Sequence, residues 1–478
     1  MTNSKTVFVS GHFNVLHPGH LRLLRFAKEC GESLIVGVES DRVAGDAAHV
    51  KQDLRLEGVQ SIGWVDSAFL IDEPITDVIG KLKPSVVIKG KEHESRFNEE
   101  ESILNSYGGK LLFSSGDARF SSFDLIQKEF QYTNNSTINC PRDYLNRHNI
   151  QKKDLAQLIQ DFKKLKVCVV GDLIVDEYIT CQPLGMSRED PTIVVTPINS
   201  QQFLGGAGIV SAHAAAMGAS VHYLSVSGND LPRKYALERL SQGNVTSQIF
   251  ADEDRPTTLK QRFRSHGKSL LRVNYLRQDA ISHGLQNRLF EALDKLIATI
   301  DVLVFSDFNY GCLPQSLVER IIDTAKKSKI LMVADSQSSS QTGDISRFQN
   351  MNLVTPTEHE ARISVRNSDD GLVILAEKLR RQSNARNVFL KLGEEGLLIH
   401  AWNGKVDDWS TDRIDALNLN PKDVAGAGDS MLIASALAMA ARGDIWTAGY
   451  LGSLAAAIQV GRVGNIPVSS GDLLKELN

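Results

Sequence analysis

No run of about 18 apolar residues occurs anywhere in the 478-residue chain, so nothing in it reads as a helix able to cross a bilayer. The opening MTNSKTVFVSGHF also lacks the long apolar core of a signal peptide and passes straight into a strand-like run, which leads to the expectation of a cytoplasmic protein. Cysteine is scarce. Cys30, Cys140, Cys168, Cys181 and Cys312 are odd in number and form no CxxC pair, which argues against a disulfide framework or a thiolate zinc site and fits a reducing compartment. In such a compartment the sequons at Asn134 and Asn135 carry no weight. Positive charge is not in excess: the formal net charge of −4 argues against nucleic acid and membrane surfaces as partners, although a local basic pocket for phosphates would not show in that total. There is no GxxxxGK[ST] sequence, so any phosphate grip is not a P-loop. Low-complexity tracts are absent too, and with 42% apolar and 23% charged residues over this length the composition is that of a globular protein of two or three domains.

What is present is α/β patterning. From Thr6 onward, short apolar runs (TVFVS, SLIVGV, SVVIKG, KLLFSS) alternate with helical stretches such as HLRLLRFAKEC, the pattern of a parallel sheet with crossover helices. This reading gives a first domain over residues 1–131. The following QYTNNSTINCPRDYLNRHN is polar, rich in Asn and without apolar periodicity, so residues 132–150 read as an exposed linker. A second α/β domain, 151–478, starts with the helix-like DLAQLIQDFKKL and the buried strand VCVVGD. Within it, the stretches from Thr180 to Gln202 and from Thr258 to Arg277 look like short strands and hairpins, and are expected to form a small β lid.

The first chemical signal is Ser10-Gly11-His12-Phe13-Asn14-Val15-Leu16-His17-Pro18-Gly19-His20, placed between a strand and a helix. A helix N-terminus offers unpaired N–H groups and a positive dipole end, and Gly11 and Gly19 let backbone approach a phosphate. His17 and His20 can donate hydrogen bonds to a pentavalent phosphoryl transition state. The plainer alternative is that the histidines cap the helix or line its packing face. Val9 to His20, with the helix HLRLLRFAKEC and the strand SLIVGVESD, resembles the HxGH nucleotidyltransferase superfamily, and most closely its small cytidylyl- and adenylyltransferase branch, over residues 6–130. The resemblance implies a Rossmann-like domain in which His17 and His20 stabilise the α-phosphate of ATP or CTP while a sugar phosphate attacks it. It also implies nucleotide contacts from Ser10, Gly11, Arg55, Lys89, Arg119 and Ser121. Two departures stand out: Asn14 replaces the family's usual Asp, and the stretch Asp41 to Asp46 lacks its lysines, with Lys51 as the nearest substitute.

The second signal is Asp423-Val424-Ala425-Gly426-Ala427-Gly428-Asp429-Ser430, which leads into the small-residue helix MLIASALAMAA. Its glycines allow a tight turn with converging N–H groups at a helix N-terminus, an anion hole for a transferring phosphoryl group, and Asp429 sits where it can accept the proton of an attacking hydroxyl. A turn that only lets helix and strand pack is the alternative. Val170 to Asp176, Leu204 to Gly208, Ser306 to Phe308, Ala334 to Ser336, Thr355 to Glu360 and Leu390 to Gly396 then follow in the order found in ribokinase-like (PfkB) sugar kinases, which residues 166–470 resemble. That resemblance implies Asp429 as base and Gly426, Ala427 and Gly428 as anion hole. It places Asp172, Asp176, Gly205 and Gly206 at the sugar, although Asp172 and Asp176 can also be read as caps beside the first strand. It gives Lys391 and Gly393 to the nucleotide, and Glu360 to the organisation of Mg2+ and water around the ATP phosphates. The family's GGxxN ends here at Ile209, which removes an Asn amide from the sugar site, and its NxxE becomes Thr357 to Glu360.

Together the two domains resemble the bifunctional heptose 7-phosphate kinase and heptose 1-phosphate nucleotidyltransferases of ADP-heptose synthesis, with the domain order reversed. The resemblance implies sugar phosphates and nucleoside triphosphates as substrates and a candidate homodimer through the lid. A kinase with a degenerate, binding-only transferase domain and a nonenzymatic nucleotide or sugar-phosphate sensor are the other two readings.

Overall fold

The computed structural model describes residues 6–16, 18–90, 98–114, 138–187, 189–190, 192–265, 268–328, 330–337, 343–405 and 408–477. Two compact units result, Met1–Ser136 and Thr137–Asn478.

The first unit is a five-stranded parallel sheet of β1 (Thr6–Gly11), β2 (Ser33–Glu39), β3 (Ser67–Ile71), β4 (Val86–Gly90) and β5 (Lys110–Ser114), in the order β3-β2-β1-β4-β5. Side chains along a strand alternate between faces, so β1 sends Val7 and Val9 into one apolar layer and Phe8 into the other, each fully buried. Helix Pro18–Glu29 and helix Gln52–Gln60 complete the first layer, while Ile75–Leu82 and Glu100–Tyr107 complete the second. Chain order reverses between β1 and β4, and in open α/β sheets the carboxyl ends of the strands at such a point form the binding crevice.

The second unit carries β6 (Lys166–Gly171), β7 (Leu173–Met186), β8 (Ile193–Gly206), β9 (Ser220–Ser227), β10 (Val245–Ala251), β11 (Thr258–Ser265), β12 (Lys268–Tyr275), β13 (Val302–Asp307), β14 (Leu331–Ser336), β15 (Leu353–Val354), β16 (Asn387–Lys391), β17 (Leu397–Trp402) and β18 (Trp409–Ile414). Nine of them form one sheet in the order β10-β9-β6-β13-β14-β15-β16-β17-β18, all co-directional except β17, which pairs antiparallel with both β16 and β18. One face is covered by helices Ala207–Ala216, Ala427–Ala440 and Ile445–Val460, whose side chains are apolar nearly all round because they are buried nearly all round. The amphipathic helices His283–Ile297, Gln315–Lys327 and Leu372–Gln382 cover the other. The expected lid is a separate four-stranded sheet, β12-β11-β7-β8, built on the long β7–β8 hairpin.

The linker reading fails where it can be checked. Residues 138–150 belong to the second unit: Tyr144 and Leu145 of helix Arg142–Arg147 are buried in its core, the Tyr144 hydroxyl donates to the Trp446 carbonyl at 2.8 Å, and Arg147 and His148 both meet Asp412. His148 also stacks on Trp446. One buried apolar pair in a single turn, with Ile138 and Ile150 packed at the two ends of the segment and polar side chains between, leaves no helical periodicity to detect. Residues 132–137 lie outside the described residues.

Candidate active sites

In the second unit, the carboxyl ends of β6, β13, β14 and β16 deliver Asp172, Asp307, Asp335 and Lys391 to the same edge of the sheet, and helix Ala427–Ala440 begins there. Gly426 precedes that helix at φ 75°, in the left-handed region where glycine carries no steric penalty, and a Cβ on it would come within 2.6 Å of Asn465 Oδ1. The helix's first-turn N–H groups have no intrahelical acceptor and a positive dipole end behind them. Beside them lies a cavity of 380 Å³, lined by Asp176, Gly206, Glu360, Lys391, Gly426, Gly428, Asp429 and Asn465, with Lys260, Arg262 and Arg272 of the lid.

Asp429 is 6% exposed, and among the described residues its Oδ1 has no hydrogen-bond partner. Burial, reinforced by the carboxylates of Asp335 and Asp176 against the opposing Lys391 and Lys260 ammonium groups, pushes its carboxyl up to about 7. That is the range a general base working near neutrality needs. Lys391 Nζ is bound to both oxygens of buried Asp335, at 3.0 and 3.1 Å, and Thr355 Oγ1 donates to the same carboxylate at 3.1 Å. Burial pulls the Lys391 ammonium down, but Asp335 and Glu360 outweigh it and hold it above its ordinary range. The charge sits against the glycine turn, since a Cβ on Gly428 would lie 3.2 Å from Nζ.

Asp176 contributes a second orphan acceptor. Its Oδ2 accepts from Asn465 Nδ2 at 3.2 Å, while among the described residues its Oδ1 has no hydrogen-bond partner, only Arg262 Nη2 at an ion-pair distance of 3.8 Å. Asn465 Oδ1 is the third, and its Nδ2 also donates to the Leu204 carbonyl at 2.9 Å. Asn465 lies far downstream of the glycine turn and carries no local motif, so the sequence reading passed over it. Its carboxamide stands against Asp176, one of the residues expected at the sugar, where the departure at Ile209 had implied that an amide was lost.

Other residues are placed differently. Asp172 does not line the cavity: its oxygens accept from the backbone N–H groups of Phe308 at 2.8 Å, Cys312 at 3.3 Å and Tyr310 at 3.4 Å, so it braces the loop after β13 in the manner of the capping alternative. Gly205 packs behind Asp176, Ala427 opens the helix, and Gly393 shapes a turn away from the cavity. Glu360 lines the cavity as the third residue of helix Glu358–Val365, with its Oε2 accepting from Thr357 N at 2.7 Å in a capping box. Among the described residues no cluster of three or more His, Cys, Asp or Glu could cage a metal. The donors present fit a magnesium ion carried on nucleotide phosphates with Glu360 beside it, the usual way this ion is held.

In the first unit, His20 lies in the first turn of helix Pro18–Glu29, and its Nδ1 donates to the Val15 carbonyl at 3.1 Å, which sets the ring's tautomer and direction. Ser10 and Gly11 end β1. Arg55, expected at the nucleotide, is spent inside the fold: wholly buried, it donates to the carbonyls of Val50, His12 and Glu39 and to Asp41 Oδ1, all at 2.6 to 2.8 Å. Lys89 is paired with Glu100 at 2.7 Å. Asn14 explains its own departure, because its Nδ2 donates to the Ala47 carbonyl at 2.7 Å while its Oδ1 accepts from His49 N at 2.9 Å. A carboxylate could make only the second of these bonds. His12 Nδ1 stands 3.0 Å from Glu39 Oε2, an ion-pair distance off the hydrogen-bonding line, and that carboxylate raises the imidazole above its ordinary range. His17, Arg119 and Ser121 lie outside the described residues.

Comparison with known proteins decides the family. Residues 164–470 match the model of the pfkB family of carbohydrate kinases. The chain belongs to that family. Residues 8–113 match the cytidylyltransferase-like model. Among curated relatives, the bifunctional protein HldE of Bradyrhizobium diazoefficiens is 28% identical over 330 residues, 68% of this chain and 65% of that protein. The bifunctional protein HldE of Helicobacter hepaticus is 29% identical over 320 residues, 66% and 64% of the two chains. The chain thus spans slightly less than two thirds of the length of these relatives. Phosphofructokinase-2 from Escherichia coli, in complex with potassium, superposes with a TM-score of 0.52 at 18% identity, covering 66% of this chain and 98% of that one. The Arabidopsis thaliana ribokinase complexed with ribose and ATP gives 0.52 at 16%, with the same coverage, and at these identities the likeness is one of fold.

Proposed function

We propose that the second unit of this pfkB-family chain is an ATP-dependent kinase of sugar phosphates and the first a sugar-1-phosphate nucleotidyltransferase, the pair together making a nucleotide-activated heptose or a related sugar. The observation that carries the kinase reading is the convergence on one cavity, beside a helix N-terminus, of three buried acceptors, Asp176 Oδ1, Asn465 Oδ1 and Asp429 Oδ1, that receive no hydrogen bond among the described residues. Buried acceptors without donors are costly, and a polyol supplies donors in this arrangement. Asp176 and Asn465 orient the sugar, and Asp429 accepts the proton of the hydroxyl whose oxygen bonds to the γ-phosphorus of ATP as the bond to the β-phosphate oxygen breaks and ADP leaves. Gly426 to Gly428 and Lys391 meet the charge on the transferring group. Magnesium, when bound with ATP, neutralises phosphate charge, with Glu360 as the protein's contribution.

For the transferase, His20 and the helix N-terminus at the β1/β4 switch point would hold the α-phosphate, and the resemblance of the two domains to the bifunctional enzymes of ADP-heptose synthesis supports heptose as the sugar. A specific observation favours a second reading in which this unit only binds: Arg55 and Lys89 are committed to internal partners. Pyrophosphate release from ATP or CTP with sugar 1-phosphates separates the two, since a binding-only unit releases none. The cytoplasmic placement belongs to the same proposal, its support being an odd number of cysteines with no CxxC pair in the sequence. So does a homodimer through the lid, supported by Leu184, Met186, Ile193 and Ile198, each more than half exposed on the β7–β8 hairpin. Light scattering on the wild type and on Ile198→Lys tests it; a monomeric wild type would remove it.

A further inference from the structure

The turn that leads into helix Ala427–Ala440 has little apolar packing to hold it: Val424 is 71% exposed. Two polar side chains hold it instead, and both grip the same pair of residues. The largely buried Asp423 carboxylate accepts from the Ala425 N–H at 3.1 Å through Oδ1 and from the Gly464 N–H at 3.1 Å through Oδ2. Gln459 Nε2 donates to the Ala425 carbonyl at 3.2 Å and to the Gly464 carbonyl at 2.9 Å. Gln459 is wholly buried, and two carbonyl oxygens as partners fix which end of its amide faces them. Ala425 is thus tied at both its N–H and its carbonyl, one residue before Gly426. The lid reaches the same clamp. Tyr178 of β7 donates its hydroxyl to Asp423 Oδ2 at 2.8 Å, and burial holds that phenol well above its ordinary range, so it stays a donor at neutral pH. Arg264 Nη1 of β11 stands 3.9 Å from the same oxygen. Phe203 of β8 meets the Tyr178 ring edge-on, 5.1 Å between centres, and a Cβ on Gly464, which lies at φ 76°, would collide with the Phe203 ring.

We propose that Gln459, Asp423 and Tyr178 are positioning residues of the kinase, which fix the glycine turn Gly426 to Gly428 in the geometry that meets the transferring phosphoryl group. This rests on the kinase reading and adds to it residues that act only through the turn, since none of the three lines the cavity. N–H donors stabilise developing charge when they are already aimed before that charge appears, and a displacement of about 1 Å can cost about 10²-fold in rate. The Asp423 and Gln459 bonds restrain the turn on both sides of Ala425, and the Tyr178 hydroxyl sets the direction of the carboxylate that makes two of them.

The test uses the full-length chain, magnesium–ATP and the sugar monophosphate that supports the fastest ADP release. Gln459→Leu keeps much of the side-chain volume and removes both donors, while Tyr178→Phe removes one hydroxyl. Gln459→Leu should lower kcat about 10- to 100-fold and Tyr178→Phe about 3- to 10-fold, with KM for the sugar phosphate and for ATP within about threefold of wild type. Calorimetry with magnesium–ADP and aluminium fluoride, a mimic of the transferring phosphoryl group, reads the turn itself. Affinity for the mimic should fall in step with kcat, while affinity for magnesium–ADP alone stays unchanged. If Gln459→Leu does not fold, Tyr178→Phe carries the same comparison. Unchanged kcat, losses confined to the two KM values, or a kcat loss without the matching loss of mimic affinity overturns the proposal while leaving the kinase intact. If no sugar supports ADP release by the wild type, the kinase reading fails, and the clamp is judged by amide exchange over residues 424–428. Exchange at least tenfold faster in a folded Gln459→Leu or Tyr178→Phe protein supports it, and exchange as slow as in the wild type overturns it.

Discussion

Asp429→Asn should do two things that seldom occur together: stop the kinase and stabilise the protein. The wild-type carboxyl is raised from 3.8 to about 7, chiefly by burial. At about 1.4 kcal/mol per pH unit, holding it ionised in the folded state costs up to about 4 kcal/mol relative to the unfolded chain. The sign follows from the protonated form being the one that folding favours. Below pH 3.8 the carboxyl is neutral in both states and costs nothing; the penalty grows as pH rises and is complete above about 7. An asparagine of the same shape never ionises, so its stability advantage should be near zero at pH 4 and should reach its maximum by pH 8. With about 1–2 °C per kcal/mol for a unit spanning Thr137–Asn478, the melting temperature at pH 8 should rise by several degrees. ADP release should meanwhile fall by 10²-fold or more, and the wild-type kcat/KM should climb with pH and level off above about 7. Differential scanning fluorimetry from pH 4 to pH 8 beside a coupled ADP assay reads both effects. A variant that loses activity and also loses stability at pH 8 would refute the burial argument, and one with full turnover would refute the base assignment.

Lys391→Met leaves the buried Asp335 carboxylate without its partner and should destabilise the kinase unit by about 3–5 kcal/mol in denaturant titration. Adding Asp335→Leu should restore much of that stability but none of the activity, whereas recovered activity would show that Lys391 is only structural. Gly205→Ala places a Cβ 2.4 Å from Asp176 Oδ2, so it should raise KM for the sugar more than tenfold with little change in KM for ATP; unchanged sugar kinetics would separate Asp176 from the sugar. Asn14→Asp loses the bond to the Ala47 carbonyl and should destabilise the first unit by about 1–3 kcal/mol, detectable as faster amide exchange over residues 45–50, and unaltered exchange would count against this role for Asn14.

Much of this was legible in the chain itself, for reasons that differ by element. Parallel strands such as β1 and β6 are buried on both faces and read as continuous apolar runs, and the turn before helix Ala427–Ala440 announces itself because Gly426 takes a left-handed conformation there. The lid was visible as hairpin-like alternation. What escaped notice depends on partners distant in sequence. Asn465 meets Asp176 across 289 positions, and nothing in its neighbourhood signals that contact. Arg55 looked like a nucleotide ligand because an arginine's charge is visible in a sequence, while the three carbonyls and one carboxylate that enclose it are not. Residues 138–150 read as a linker because their anchoring to Asp412 and Trp446 runs through polar side chains.

ADP release from magnesium–ATP by the full-length chain, measured across sugar monophosphates including a heptose 7-phosphate and repeated with Asp429→Asn, tests the central claim most directly. Sugar-phosphate-dependent ADP release that falls by 10²-fold or more in a folded Asp429→Asn protein is the expected result. The absence of sugar-dependent release in the wild type, or release undiminished in the variant, would contradict it.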